Sequence, residues 1–198
     1  MKNILITFAF IFSTPIYAQY PVLSIENQDP YDIIEGAYYK DLANVLTTFE
    51  GTWLYTDINT NTSLKIVLVK KTMFFEGKFY EDLMIGELQY IENGVEKINT
   101  LSNLNQNLGR GHRIKGNLIY RDCDIMTNGD CIEGEARLRL GFIDITGKHW
   151  AAIYLKKRRI NEQHALKAYI VFNYSGYDDP PPSPTLPWQQ EYVMFKQP

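Results

Sequence analysis

Polar and apolar residues alternate cleanly over 135–143. Ala136, Leu138, Leu140 and Phe142 fall on one side of an extended chain, and Glu135, Arg137, Arg139 and Gly141 on the other. This pattern predicts a strand with one face on a core and one toward water. Similar short runs, bounded by turn residues, predict further strands over 51–57, 64–70, 73–80, 83–91, 95–101, 117–123, 150–156, 167–174 and 191–196. In 64–69 both faces are apolar, with Leu64, Ile66 and Leu68 against Val67 and Val69. That strand is therefore expected to be covered on its outer face as well, by the N-terminal segment. One helical period occurs: Leu42, Val45, Leu46 and Phe49 recur at i, i+3, i+4 and i+7 and predict a short helix over 41–49. Two turns of helix do not stand alone in water, so this one is expected to plug one end of the sheet structure.

The strands succeed one another through turn residues such as Glu92-Asn93-Gly94, with no helix between them, which excludes a parallel sheet. The expected class is all-β: a single antiparallel up-and-down β-barrel of about 8–10 strands preceded by a short helix. An antiparallel β-sandwich is the alternative. The barrel is preferred because closure removes the edges that so many strands would expose. An aromatic share of 14%, with fourteen Tyr, suits such half-buried pleated surfaces.

Residues 1–18 have the form of a signal peptide, with basic Lys2, an apolar run over 4–12, the break Ser13-Thr14-Pro15, and Ala18 as the small residue at the cut. The apolar run falls short of the roughly 20 residues that span a bilayer. No Cys follows it to carry a lipid, and no later segment could anchor the chain. The expectation is an exported protein, periplasmic or extracellular, without a transmembrane segment in its mature form. Residues 19–198 then suit one β-barrel domain, with an N-terminal extension over 19–40, the helix over 41–49 and a Pro-rich strap over 176–187.

Loss of Lys2 would move the formal net charge from −3 to −4, which offers nucleic acid no general attraction. The one dense basic run, Lys156-Lys157-Arg158-Arg159, closes a strand, so alternation sends two cations to each side. It reads as a solvated strand end, with an anionic polysaccharide or lipid surface as the alternative.

Cys123 and Cys131 are the only cysteines and are expected to pair, clipping a hairpin about Asn128-Gly129. Their spacing is not C-x-x-C and no His lies near, so neither redox chemistry nor metal binding is expected of them. The same loop collects Asp122, Asp124, Asn128, Asp130, Glu133 and Glu135. An EF-hand pattern fails there, because Met126 and Thr127 stand where an oxygen ligand and a Gly are required. A solvated turn is preferred over a calcium site.

The three histidines offer little chemistry. His112, in Gly109-Arg110-Gly111-His112-Arg113, sits in what reads as a hinge, with an anion-binding loop as the alternative. His149 opens a strand and His164 falls in a polar hairpin loop. No acid, base and nucleophile come together by spacing, so neither enzymatic activity nor a cofactor is expected.

Phe49-Glu50-Gly51-Thr52-Trp53, behind a short helix and ahead of the first strand, resembles the entry to a lipocalin-type barrel. The resemblance implies structural roles for Gly51 and Trp53, with Trp53 packed across the closed end and a late Arg, Arg158 or Arg159, stacked on it. A lumen lined by Tyr55, Phe142 and Tyr154 would then hold a small hydrophobic ligand. The alternative is a secreted or cell-envelope interaction protein whose barrel is filled with side chains and whose outer Tyr-rich face does the binding. A monomer is expected. Through Tyr38-Tyr39-Lys40-Asp41 and the closing Met194-Phe195-Lys196-Gln197 the chain is also similar to an uncharacterised family of small secreted bacterial proteins, which implies no activity.

Overall fold

The computed structural model describes residues 21–29, 31–123, 130–145, 149–174, 183–187 and 189–198. Among them lie eleven strands: β1 (Val22–Ser24), β2 (Tyr38–Lys40), β3 (Gly51–Asp57), β4 (Thr62–Phe75), β5 (Tyr80–Glu92), β6 (Val95–Asn99), β7 (Ile114–Tyr120), β8 (Arg137–Ile143), β9 (His149–Ile160), β10 (Gln163–Tyr174) and β11 (Gln190–Lys196). Strands β3, β4, β5, β7, β8, β9, β10 and β11 pair in chain order around a closed antiparallel barrel. Two seams close it. Met84, Ile85 and Gly86 of β5 pair with Gly116, Lys115 and Ile114 of β7, and Trp53 and Leu54 of β3 pair with Lys196 and Phe195 of β11. A two-sheet sandwich would leave these seams open, so the barrel is the fold. Outside it, β6 folds back on the end of β5, and β2 runs parallel to the start of β5.

Local chemistry explains where the strand boundaries depart from expectation. The separate strand expected over 73–80 is absent. Met73 has φ 52 and the ladder slips between Lys71 and Phe74, so one bulged β4 continues until Phe75 pairs with Tyr80. Strands β9 and β10 also outrun their apolar patterns, meeting at a tight turn whose two residues, Asn161 and Glu162, have φ 48 and 67. His164 therefore stands on β10 and not in a loop. The helix over 41–49 reduces to one 3-10 turn, Leu46–Phe49. Asn44, at φ 53, breaks the α-helical path, and the Asp41 carboxylate accepts from the amides of Val45 at 2.8 Å and Leu46 at 2.9 Å. The plug survives: Val45, Leu46 and Phe49 are buried, while Leu42 is 57% exposed. Lys70 Nζ ties this segment to the β4–β5 hairpin, 2.9 Å from Asp41 and 3.6 Å from Asp82.

The barrel interior is packed with its own side chains. Leu64, Ile66 and Leu68 of β4, Leu88 of β5, Leu138 and Leu140 of β8, Ile153 and Leu155 of β9, and Ala168 and Ile170 of β10 are each exposed by 1% or less. At that exposure no water-sized space touches them, and each large aliphatic side chain contributes about 1.5–3 kcal/mol by its burial. On the outer face, Glu87 lies across the ladder from Val67 and is fully buried, with His112 Nδ1 2.8 Å from its Oε1. The connection over 101–113 thus reaches this side through His112. His112 latches this loop to β5, so it is not a free hinge. Cys123 and Cys131 are bonded in the β7–β8 connection, beyond both strand ends and outside the ladder. The signal-peptide segment, the Asn128-Gly129 turn and most of the 176–187 strap lie outside the described residues. At the end of the strap, Leu186 is fully buried and Tyr192 donates to the Pro187 carbonyl at 3.3 Å.

Candidate functional site

The Gly-x-Trp motif turns out to be a packing device. Trp53 is 2% exposed, and its Nε1 donates to the Phe49 carbonyl at 2.9 Å, which fixes the plug against the first strand. The cation on its ring is Lys196, with Nζ 5.5 Å from the ring centroid, and not Arg158 or Arg159. Register decides this, since Lys196 pairs with Trp53, whereas Arg158 turns outward to Asp130 and Glu135. Gly51 has φ 125, a backbone conformation that favours glycine, and a Cβ there would stand 2.9 Å from the Lys196 Cε and push that side chain aside.

The three aromatics expected to line a lumen do not come together. Phe142 is inside, 1% exposed and edge-on to Phe172 with ring centroids 5.9 Å apart. Tyr55 is half-buried at the barrel mouth, edge-on to Tyr192 at 5.1 Å. Tyr154 is on the outer face, because Ile153 and Leu155 on either side of it enter the core. There the Arg139 guanidinium lies 5.9 Å from its ring. Both parities of Ala151-Ala152-Ile153-Tyr154-Leu155 are apolar or aromatic, which hid the inward face from sequence alone.

One space that can take a ligand is on the outer wall. A cleft of about 530 Å³ opens over β7 and β8, bounded by Lys115, Asn117, Leu118, Arg139, Phe79, Ile33, Gln28, Arg110 and Glu81, with Gly116 and Gly141 as its floor. Alternation on β8 turns Arg139 and Gly141 outward, and Lys115 lies across the ladder from Gly141. The ladder slips between Lys115 and Leu118 around Gly116, whose φ is 143 and whose added Cβ would press on the Arg139 carbonyl at 3.3 Å.

One carboxylate is buried at the edge of the cleft. Glu81 is 1% exposed and accepts from Arg110 Nη2, while Arg110 Nε donates to Glu76 at 2.6 Å. Asn117 Nδ2 donates to the second Glu81 oxygen at 2.8 Å and to the Asp82 carbonyl at 3.0 Å. Burial pushes the Glu81 carboxyl up, and Arg110 and Asn117 pull it back. Its contacts are those of an ionised carboxylate satisfied by donors. Lys115 differs. Among the described residues no hydrogen bond or ion pair holds its ammonium, and burial, followed by the charges of Arg110 and Arg113, pushes its pKa below the usual lysine value. The cleft therefore presents an uncommitted cation beside two more, Arg110 and Arg139, with apolar walls from Phe79, Ile33 and Leu118. This donor set suits an anionic group on an apolar body. Among the described residues no group of three His, Cys, Asp or Glu could hold a metal ion.

Two other sequence features fuse into one. Asp130, from the acidic loop, accepts from Lys167 at 2.7 Å and Arg158 at 2.8 Å, with Lys156 at 3.5 Å. The first two hold its carboxyl well below the usual aspartate range. The basic run is thus not a solvated strand end: Lys156 is 6% exposed, and Asp130 serves cations of the protein itself. Asp124 and Asn128, two of the other calcium candidates of that loop, are outside the described residues, as is the side chain of His149. Sequence reasoning missed Lys115 and Glu81, and met Arg110 only within the 109–113 loop offered as an anion-binding alternative. The one signal was a pair of glycines, Gly116 and Gly141, on strands otherwise rich in large residues.

A model of the family of unknown function DUF6705 matches residues 1–197. Comparison with the curated proteins and with the solved structures gave no match.

Proposed function

The chain belongs to this family of unknown function, and we propose that it is a binding protein whose ligand, a small organic anion with an apolar body, sits in the outer-wall cleft and not in the barrel lumen. The observation that carries this is Lys115, a half-buried ammonium without a partner among the described residues, at the wall of a cleft of about 530 Å³. A volume of that size falls within the roughly 300–1,000 Å³ of small-molecule sites. A ligand in the lumen would have to displace side chains that are 1% exposed or less. The leader-like residues 1–18 and the Cys123–Cys131 bond favour export to an oxidising compartment. Among the described residues no helix is long and apolar enough to cross a membrane.

The test is calorimetric titration of the chain with octanoate and, as a neutral analogue, 1-octanol. Octanoate should bind at least about tenfold more tightly, worth about 1.4 kcal/mol. Lys115→Met should remove that advantage. Gly141→Val should block the cleft, since a Cβ at Gly141 finds its nearest neighbour, the Lys115 carbonyl, at an ordinary 3.6 Å and so fills space without distorting the wall. Binding should fade as pH rises through the depressed Lys115 pKa, below the ordinary lysine value of 10.5, because only the protonated amine attracts the anion. Unchanged octanoate affinity in Lys115→Met would refute the proposal.

A further inference from the structure

The barrel mouth carries a second space with the opposite electrostatics. A pocket of about 260 Å³ lies where the β3–β4 and β5–β6 turns meet the start of β11. Its floor is tyrosine. Tyr90 and Tyr192 are 1% exposed, and Tyr55 packs edge-on against Tyr192. Asp57 and Glu92 stand on its wall, and among the described residues no Lys, Arg or His lines it. Lys97 reaches Glu92 only from the solvent side at 3.9 Å, with both side chains more than 40% exposed, an ion pair of little strength.

The polar groups at this mouth are under-used. Tyr90 donates to Glu92 at 3.3 Å and Tyr192 to the Pro187 carbonyl at 3.3 Å, both long for hydroxyl donors. Among the described residues no hydrogen bond engages the Tyr55 hydroxyl. Burial, then the Glu92 charge and hydrogen bond, pushes the Tyr90 phenol up to about 12, and burial, then Tyr90, Tyr55 and Glu92, raises Tyr192. The phenols thus stay neutral, and their oxygens keep lone pairs to offer within a negative field. Asp57 spends one oxygen on the Asn59 amide at 3.0 Å and the other on the Thr60 hydroxyl at 2.8 Å, so it contributes charge more than coordination.

From this geometry we infer that the mouth pocket binds a small primary ammonium ion, its N–H groups donating to phenol oxygens and Glu92 and its short chain resting on the half-exposed Tyr55 ring. The size agrees: about 260 Å³ exceeds the roughly 150 Å³ that holds benzene and falls below the usual range for drug-sized ligands. Inorganic cations are disfavoured, because a hard ion needs a shell of oxygens and Asp57 is already engaged. A quaternary ammonium needs ring faces, whereas Tyr90 and Tyr192 are too buried to present theirs. This site is independent of the outer-wall cleft, and its ligand has the opposite charge.

The experiment is an NMR titration of the full chain with n-butylammonium chloride at constant ionic strength, reading Tyr ring signals, with 1-butanol, tetramethylammonium and magnesium chloride in parallel. Butylammonium should saturate and shift Tyr55 and Tyr192, and the other three should bind at least tenfold more weakly. Glu92→Gln should weaken butylammonium about tenfold and Tyr192→Phe about threefold, with Asp57→Asn, which keeps the acceptor for the Asn59 amide and turns the other oxygen into a donor toward the Thr60 hydroxyl, as a second charge variant. Equal binding of butanol, tetramethylammonium or magnesium would overturn the inference, as would wild-type affinity in both Glu92→Gln and Asp57→Asn. Octanoate binding should be unchanged in these variants, so the two sites fail separately.

Discussion

On β8, Leu138 and Leu140 are fully buried inside the barrel, while Arg139 and Gly141, one residue along from each, face a cleft of about 530 Å³. A single step of the pleat separates solid core from open surface. Inside, among the described residues, Leu64, Ile66, Leu88, Leu138, Leu140 and Ile170 are each exposed by 1% or less. Outside, a bulge at Gly116, a bare Gly141 and a turn that brings in Arg110 leave a hollow with charge on its wall. On the proposed reading the barrel is a scaffold whose outer wall carries the binding site.

The sharpest way to break this comparison is to empty the inside. Phe142→Ala should cost about 3–5 kcal/mol in denaturant unfolding, the usual penalty for a large cavity in a packed core. A ligand chamber would tolerate the same change for about 1 kcal/mol or less. Octanoate affinity should be unchanged in the folded variant, since the cleft lies on the other face of the sheet.

A smaller effect sharpens the outer side. Asp130→Asn should cost about 1 kcal/mol or less at neutral pH, because the pairs it makes are partly exposed. The folded carboxyl is held below its ordinary value of 3.8. Its contribution is therefore complete above that pH and is lost as the pH falls through the folded value. Thermal melts of the wild type should drop in acid, and those of Asp130→Asn should drop less steeply. Parallel acid limbs for the two proteins would contradict the ion-pair cluster.

Much of the fold was legible in the chain. Alternation placed Leu138, Leu140 and Phe142 inside and Arg139 outside, the Asn93-Gly94 turn fell where expected, and Phe49-Glu50-Gly51-Thr52-Trp53 marked the first barrel strand. What could not be read depends on groups far apart in sequence. The cation on Trp53 is Lys196, because the barrel closes between β3 and β11, and no local pattern distinguishes that Lys from Arg158. Tyr154 was misplaced because both faces of β9 are apolar, so periodicity left its direction open. The helix shrank because Asn44 and the Asp41 carboxylate impose a turn that apolar spacing does not record. The outer cleft was least visible of all. It needs Lys115, Arg110, Glu81 and Arg139 on four separate elements, and each alone looks like an ordinary surface charge.

The most direct test of a solid interior beneath a binding outer wall is methyl NMR of the Ile and Leu residues during octanoate titration. Shifts confined to Ile33 and Leu118 at the cleft, with Leu138, Leu140, Ile153 and Ile170 still, are the predicted result. Saturable shifts in those four core residues, with Ile33 and Leu118 unmoved, would put the ligand in the lumen and contradict it.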